Sequence, residues 1–277
     1  SSSLKSKTDN YLTILISSFI ASLSFIFTDT FWFNAVETEV YAMATLIMSL
    51  LFYLGLRWEQ EMHLPKGNRW LILISFVVGL SFGVHFMGLL TIPAIGLIYF
   101  FKNYKPITIK KFILANVVVV GILMFVFKLL APNVLRYFSV LEVFFVNSVG
   151  LPFNSGTVIA GILLVTFFYY LLNYTIKNNL KTLNTVSLCV LFILIGFSSW
   201  IMLPIRANSD VVINENDPAD ARQLLAYYNL EQYPKTHLFY GPLFTDQYSG
   251  LDEKNPYKDD KPKYEKDLTQ NKYVIVN

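Results

Sequence analysis

The sequence predicts an all-α polytopic membrane protein, a bundle of about seven transmembrane helices with a small water-exposed tail. Three observations carry that reading. Of the 277 residues 54% are hydrophobic and only 15% charged, more apolar surface than a soluble domain of this length buries. Apolar runs approaching the roughly 20 residues that cross a bilayer recur up to Leu203. Lysines and arginines gather in alternate connections between those runs, the asymmetry that orients membrane helices.

The runs cover residues 12–29, 39–57, 70–86, 88–101, 112–130, 157–174 and 184–204. The third and fourth meet at "GVHFMG" and predict a tight helical hairpin, with Pro93 and nearby glycines supplying the bend. Residues 134–150, "VLRYFSVLEVFFVNSVG", carry Arg136, Glu142 and Asn147, too polar for a span and suited to an interfacial helix. Residues 1–204 are therefore read as the membrane region and 205–277 as a soluble segment. In that segment Asp217 before Pro218 predicts a helix cap and a helix over 218–229, with Asp220 adding negative charge near its start. "DEKNPYKDDKPKYEKD" reads as a solvated loop and the final "KYVIVN" as a strand.

Lys5 and Lys7, then Arg57, Lys66 and Arg69, then Lys102, Lys105, Lys110 and Lys111, then Lys177 and Lys181 mark the cytoplasmic connections. The stretch 29–38, the turn near His85, residues 131–156 and the tail then face outward. Other chemistries are excluded. The single Cys189 permits no disulfide framework. There is no Gly-rich phosphate loop and no dinucleotide fingerprint. His63, His85 and His237 lack ligand spacing for zinc. The basic residues are accounted for by topology, so no nucleic-acid surface is expected.

"TFWFNAVETEVYA", residues 30–42, sets Glu37 and Glu39 at a junction between apolar runs. A carboxylate beside a span is costly and marks a functional cavity by default. The plainer role is to solvate a helix start, where negative charge is also favoured. If the chain is helical from residue 36, Glu37 and Tyr41 share a face and Glu39 points away; both carboxylates serve one cavity only if the backbone is extended.

The stretches "FTDTFWFNAVETEVYAM", "RWLILISFVVGLSFGVHFMGLLTIPAIGLIYFF", "LPIRANSDVVINENDPAD" and "LFYGP" resemble, in order, the bacterial members of glycosyltransferase family 117, also catalogued as domain of unknown function 2723. That family is similar to the protein O-mannosyltransferases. The resemblance implies a type C glycosyltransferase fold in the bacterial inner membrane with its soluble tail on the periplasmic side. It further implies a polyprenyl-phosphate sugar drawn from the membrane lipid as donor, and a secreted or periplasmic protein hydroxyl as acceptor. Such enzymes carry a Gly-Asp-Ser-Gly-Glu-type motif in a first outer loop, thought to supply the catalytic carboxylate. This sequence lacks it, which marks the chain as an internal piece of a longer enzyme and leaves the catalytic residue unknown.

Inverting transfer from a lipid phosphate needs a carboxylate for the acceptor proton, groups that hold the departing phosphate, and a dry cavity. His85, at the outer turn of the hairpin, suits a lipid phosphate or a helix end equally well. Arg206, leaving the last span after Leu203-Pro204, offers bidentate phosphate recognition or snorkels at an interface. Glu215 and Asn216 are placed at the acceptor entrance. Glu37, Tyr41, His85 and Arg206 are expected to converge on one outer-side cavity, and the acidic groups leave room for a divalent cation. The alternative from another class is a non-catalytic membrane component or transporter whose glutamates and histidine serve proton or solute passage.

Single cysteines placed in loops 58–69, 102–111 and 175–183, in a background without Cys189, are expected to label only from the cytoplasmic side. Cysteines in the tail should label only from outside, and tail labelling from the cytoplasm alone overturns the orientation.

Overall fold

The computed structural model describes residues 2–37, 39–233 and 263–276, with side chains from residue 11 onward. His237, the "LFYGP" stretch and residues 252–262 of the expected solvated loop lie outside the described residues. The chain runs α1 Ser2–Ile26, α2 Asp29–Val36, α3 Tyr41–Glu61, α4 Asn68–Ser81, a 3-10 turn Phe86–Leu90, α5 Thr91–Asn103 and α6 Ile109–Met124. A π turn Phe125–Leu130 then leads into α7 Ala131–Asn147. There follow α8 Ser155–Lys177, α9 Lys181–Phe197, a 3-10 turn Ser198–Ile201, α10 Met202–Ala207, α11 Ala221–Tyr228 and the strands β1 Tyr264–Asp267 and β2 Lys272–Ile275.

This is an all-α polytopic membrane architecture. Among the described residues five helical segments are long and apolar enough to cross a bilayer: Tyr41–Glu61, Phe86–Asn103, Ile109–Asn147, Ser155–Lys177 and Lys181–Ala207. The expected seven spans differ from these in two places. The first run is broken, α1 and α2 meeting at 65° so that only Tyr11–Ile26 and Asp29–Val36 together pass as a span. The third run yields α4, whose 14 residues rise about 21 Å, short of a hydrocarbon core of about 30 Å.

Two compact units are present, Ser1–Val120 with Phe192–Phe197, and Gly121–Leu191 with Ser198–Asn277. In the first, Ala44, Ile47, Leu51, Leu54 and Trp58 form the buried stripe of α3 at three- and four-residue spacing. The helix α4 runs antiparallel to α3, since Tyr41 at the start of one meets His85 just beyond the other. The helix α5 returns parallel to α3, stacking Tyr99 on Trp58 at 5.4 Å and pairing Lys102 with Glu59. The bend between α4 and α5 falls at Gly83–His85, where backbone bonds run to Leu80 and Ser81. Pro93 is not the bend; it lies in the first turn of α5, where its missing N–H has no partner to lose. Arg57 and Arg69 both pair with Glu61 at 2.7 Å and flank the Trp70 ring, so one carboxylate holds two cations and this end keeps a net positive charge.

Close helix approach in this unit depends on glycine. A Cβ on Gly79 would collide with the Ile193 carbonyl, and one on Gly196 with that of Phe76. Without a hydrophobic force between helices in lipid, such backbone proximity is what dispersion packing requires.

The helix that starts at Ile109 does not stop at residue 130 as expected. Ile109–Asn147 is helical over 39 residues, about 58 Å. The stretch expected to lie as a separate interfacial helix is its continuation α7, which buries Leu135, Ser139, Glu142 and Val146. Pro132 widens the turn before it and does not end it. The helix in the tail starts later than predicted: Asp220, not Asp217, caps α11, its Oδ1 accepting from the N–H groups of Arg222 and Gln223 at 2.8 and 2.9 Å. Asp217 sits at φ +37°, outside the extended conformation a cap needs. The expected terminal strand is β2, and it pairs antiparallel with β1, whose residues had been read as loop.

Gly79→Ala is expected to destabilise the protein by about 1–3 kcal/mol in reversible unfolding, the usual cost of overpacking. Gly161, with open space around its Cβ position, is the control; Gly161→Ala should be neutral or stabilise by about 0.5–1 kcal/mol.

Candidate functional site

The sequence "VETEV", residues 36–40, alternates β-branched residues with glutamates, a pattern that weakens helix. The structure breaks there. Glu37 is the C-cap of α2 at φ −74° and ψ 155°, its N–H bonded to the Phe33 carbonyl. Tyr41 begins α3. The expectation that Glu37 and Tyr41 share a helical face is corrected: they belong to different helices. Glu37 and Glu39 are both exposed and accept no hydrogen bond from the described residues. Asp29 opens α2, where a negative charge is favoured by the free N–H groups of the first turn.

Tyr41 and His85 are brought together, ring centroids 5.6 Å apart and tilted 53°. His85 has extended backbone and caps the 3-10 turn, its Nδ1 accepting from the Met87 N–H at 3.1 Å. Its own N–H donates to the Ser81 carbonyl at 2.8 Å. A ring nitrogen that accepts holds no proton, so neutral His85 carries its proton on Nε2. The half-buried ring thus presents an N–H donor beside the Tyr41 ring. Trp32, Phe33 and Phe86 are exposed aromatics of the same unit, suited to the polar–apolar boundary of a bilayer.

The remaining sequence candidates fall in the other unit. Arg206 lies exposed in the last turn of α10, where a cation is favoured by the helix carbonyls. The Asn214 amide donates to the Ala207 carbonyl at 3.1 Å and to Asp217 at 2.7 Å. That fold-back sets Glu215 and Asn216, both exposed, by the end of α10 that holds Arg206. Glu37, Glu39, Tyr41 and His85 thus belong to the first unit, where Tyr41 and His85 meet, and Arg206, Glu215 and Asn216 to the second.

A polar cluster that the sequence did not reveal joins α7, α8 and the β hairpin. Glu142 is fully buried and accepts from the N–H groups of Asn154 and Thr157 at 2.6 and 2.7 Å, the Thr157 hydroxyl at 2.9 Å and the Tyr273 hydroxyl at 3.3 Å. Four donors make it a cap for α8, with no freedom to act as a base. Asn147 imitates a strand, donating to the Tyr273 carbonyl and accepting from its N–H, both at 2.8 Å. Burial, then the nearby carboxylates of Asp220 and Glu142, push the Tyr273 phenol well above its usual range. It therefore remains a donor at all ordinary pH values. The only signal in the sequence was the polarity of Glu142 and Asn147 in an apolar stretch; Glu142 finds its closest donors on the next helix, at Asn154 and Thr157, whereas Asn147 meets Tyr273, 126 residues away.

Among the described residues no three His, Cys, Asp or Glu side chains converge to hold a metal ion.

Residues 2–108 match the family described as protein O-mannosyl-transferase TMEM260 N-terminal domain. Residues 234–277 match a family of unknown function, DUF8416, and lie mostly outside the described residues. No match is found among curated proteins or solved structures. The first match contains Glu37, Glu39, Tyr41 and His85 and leaves Arg206, Glu215 and Asn216 outside. Over that N-terminal region the chain is similar to a protein O-mannosyltransferase domain.

Neither carboxylate accepts a hydrogen bond from the described residues, so Glu37→Gln and Glu39→Gln are each expected to leave the unfolding temperature unchanged.

Proposed function

We propose that this chain is part of a membrane glycosyltransferase of the type C architecture, of the family 117 kind, acting at the periplasmic face of a bacterial inner membrane. It moves a sugar from a polyprenyl-phosphate donor to a hydroxyl of a secreted or periplasmic protein. The observation that carries the reading is the match of residues 2–108 to a protein O-mannosyl-transferase domain, within which Tyr41 and His85 meet.

In this reaction the acceptor oxygen bonds the anomeric carbon as the bond from that carbon to the phosphate oxygen breaks, and polyprenyl phosphate departs. Charge grows on the leaving oxygen, so a preorganised donor there is worth most. The Nε2–H of His85 is assigned that place, held by the Met87 N–H on its other nitrogen. The Tyr41 ring limits its rotation and offers a face to the sugar. Glu37 and Glu39 are assigned to sugar hydroxyls. Arg206, Glu215 and Asn216 are assigned to substrate contacts within their own unit. The group that takes the acceptor proton is assigned to no residue of this chain, and residues 205–277 are assigned to the outer side.

The test is transfer by the intact natural protein, in lipid nanodiscs, from polyprenyl-phosphate mannose to Ser/Thr-containing polypeptides. Transfer from the lipid donor with none from a nucleotide sugar is expected. Absence of transfer from every lipid-linked sugar tried, with a folded protein that still binds them, would leave a non-catalytic lipid-binding component.

A further inference from the structure

Pro132 has no N–H for a carbonyl one turn back, and in a regular α-helix its ring would press on the Lys128 carbonyl. The chain widens instead. Phe125–Leu130 form a π turn, and the Ala131 N–H bonds to the Val126 carbonyl five residues back. For the Phe127 carbonyl the residue five places on is Pro132, which has nothing to donate. The Tyr228 hydroxyl of α11 donates to that carbonyl at 3.0 Å. Burial pushes the Tyr228 phenol up to about 12, so it keeps its proton at physiological pH.

The widened turn forms one wall of a groove of about 290 Å³. Phe125, Leu129, Leu130 and Val134 line this wall and Leu164 of α8 the other. The lining is apolar apart from Asn133, and the volume, equal to about ten waters at their liquid volume, admits a length of hydrocarbon chain. Tyr137 adds only its ring, because its hydroxyl donates to the Ala160 carbonyl at 3.1 Å. Asn133 also lines the groove. Arg136, three residues on and so on the adjoining surface of the helix, is exposed and has no carboxylate partner among the described residues.

We propose that this π-turn groove holds one acyl chain of an anionic phospholipid, with the phosphate taken by Arg136 and Asn133. The occupant follows from the chemistry on both parts. An apolar groove on a membrane helix is filled sideways from the bilayer, and an unpaired guanidinium at its rim selects a negative head. Tyr228 is a positioning residue for this site, since it answers the carbonyl that Pro132 cannot and so supports the widened turn. The inference is independent of the glycosyltransferase reading.

The experiment is native mass spectrometry of the detergent-purified protein with phosphatidylglycerol or phosphatidylcholine of identical chains, and with polyprenyl phosphate as competitor. Wild-type protein should retain phosphatidylglycerol about 10-fold better, the scale of a hydrogen bond to a charged group. Arg136→Gln should abolish the preference while keeping the neutral lipid and the unfolding temperature, since Arg136 bonds nothing described. Tyr228→Phe, which preserves packing, should lower retention of both lipids. Equal retention by wild type, a preference that survives Arg136→Gln, retention unchanged in Tyr228→Phe, or displacement of phosphatidylglycerol by equimolar polyprenyl phosphate would each overturn the proposal.

Discussion

A bilayer offers no water to backbone N–H and C=O groups, so each departure from α-helix in this chain must be answered by another group of the protein. The three best-defined departures are answered in three ways. At Gly83–His85 the N–H groups turn back to Leu80 and Ser81, and the imidazole takes the Met87 N–H. At Asn154 the entry into α8 is capped from the side by the Glu142 carboxylate. At the π turn a tyrosine hydroxyl meets the Phe127 carbonyl. These are also the places where the structure holds a histidine, a buried carboxylate and a groove, because irregular backbone is what admits polar side chains into an apolar bundle.

The sequence reads most clearly where one physical effect dominates. Long apolar runs gave the helices α3, α8 and α9 to within a few residues, because hydrophobicity alone decides them. It reads poorly where two effects compete. Proline was taken as a bend at Pro93, yet at a first helical turn it is harmless; Pro132, deep in a helix, shapes the chain and was passed over. For Asp217 and Asp220 both fit a cap by type, and only the backbone conformation decided for Asp220. Glu142 looked like a reason to exclude a span. It is buried where it caps α8 through the Asn154 and Thr157 N–H groups, a pairing of two helices that no pattern within one helix reveals.

The candidate site was legible in part. Polar residues beside apolar runs named Glu37, Glu39, Tyr41 and His85, and the antiparallel pairing of α3 and α4 brings Tyr41 to His85. What the pattern could not give was the conformation of residues 37–40, since "VETEV" suits an extended segment and a frayed helix start alike. The proposed role of this end rests on a donor of defined tautomer, and that follows from one hydrogen bond at Met87.

The central claim is that His85 meets the phosphate of the lipid-linked donor, and donor affinity tests it without the catalytic step. The measurement is the Kd of polyprenyl-phosphate mannose for the intact protein in nanodiscs, compared among wild type, His85→Ala and His63→Ala, the last removing an exposed histidine of the α3–α4 connection. The account predicts a Kd raised about 10-fold or more in His85→Ala, the loss of a hydrogen bond to a charged group, and no change in His63→Ala. An unchanged Kd in a folded His85→Ala protein would contradict it.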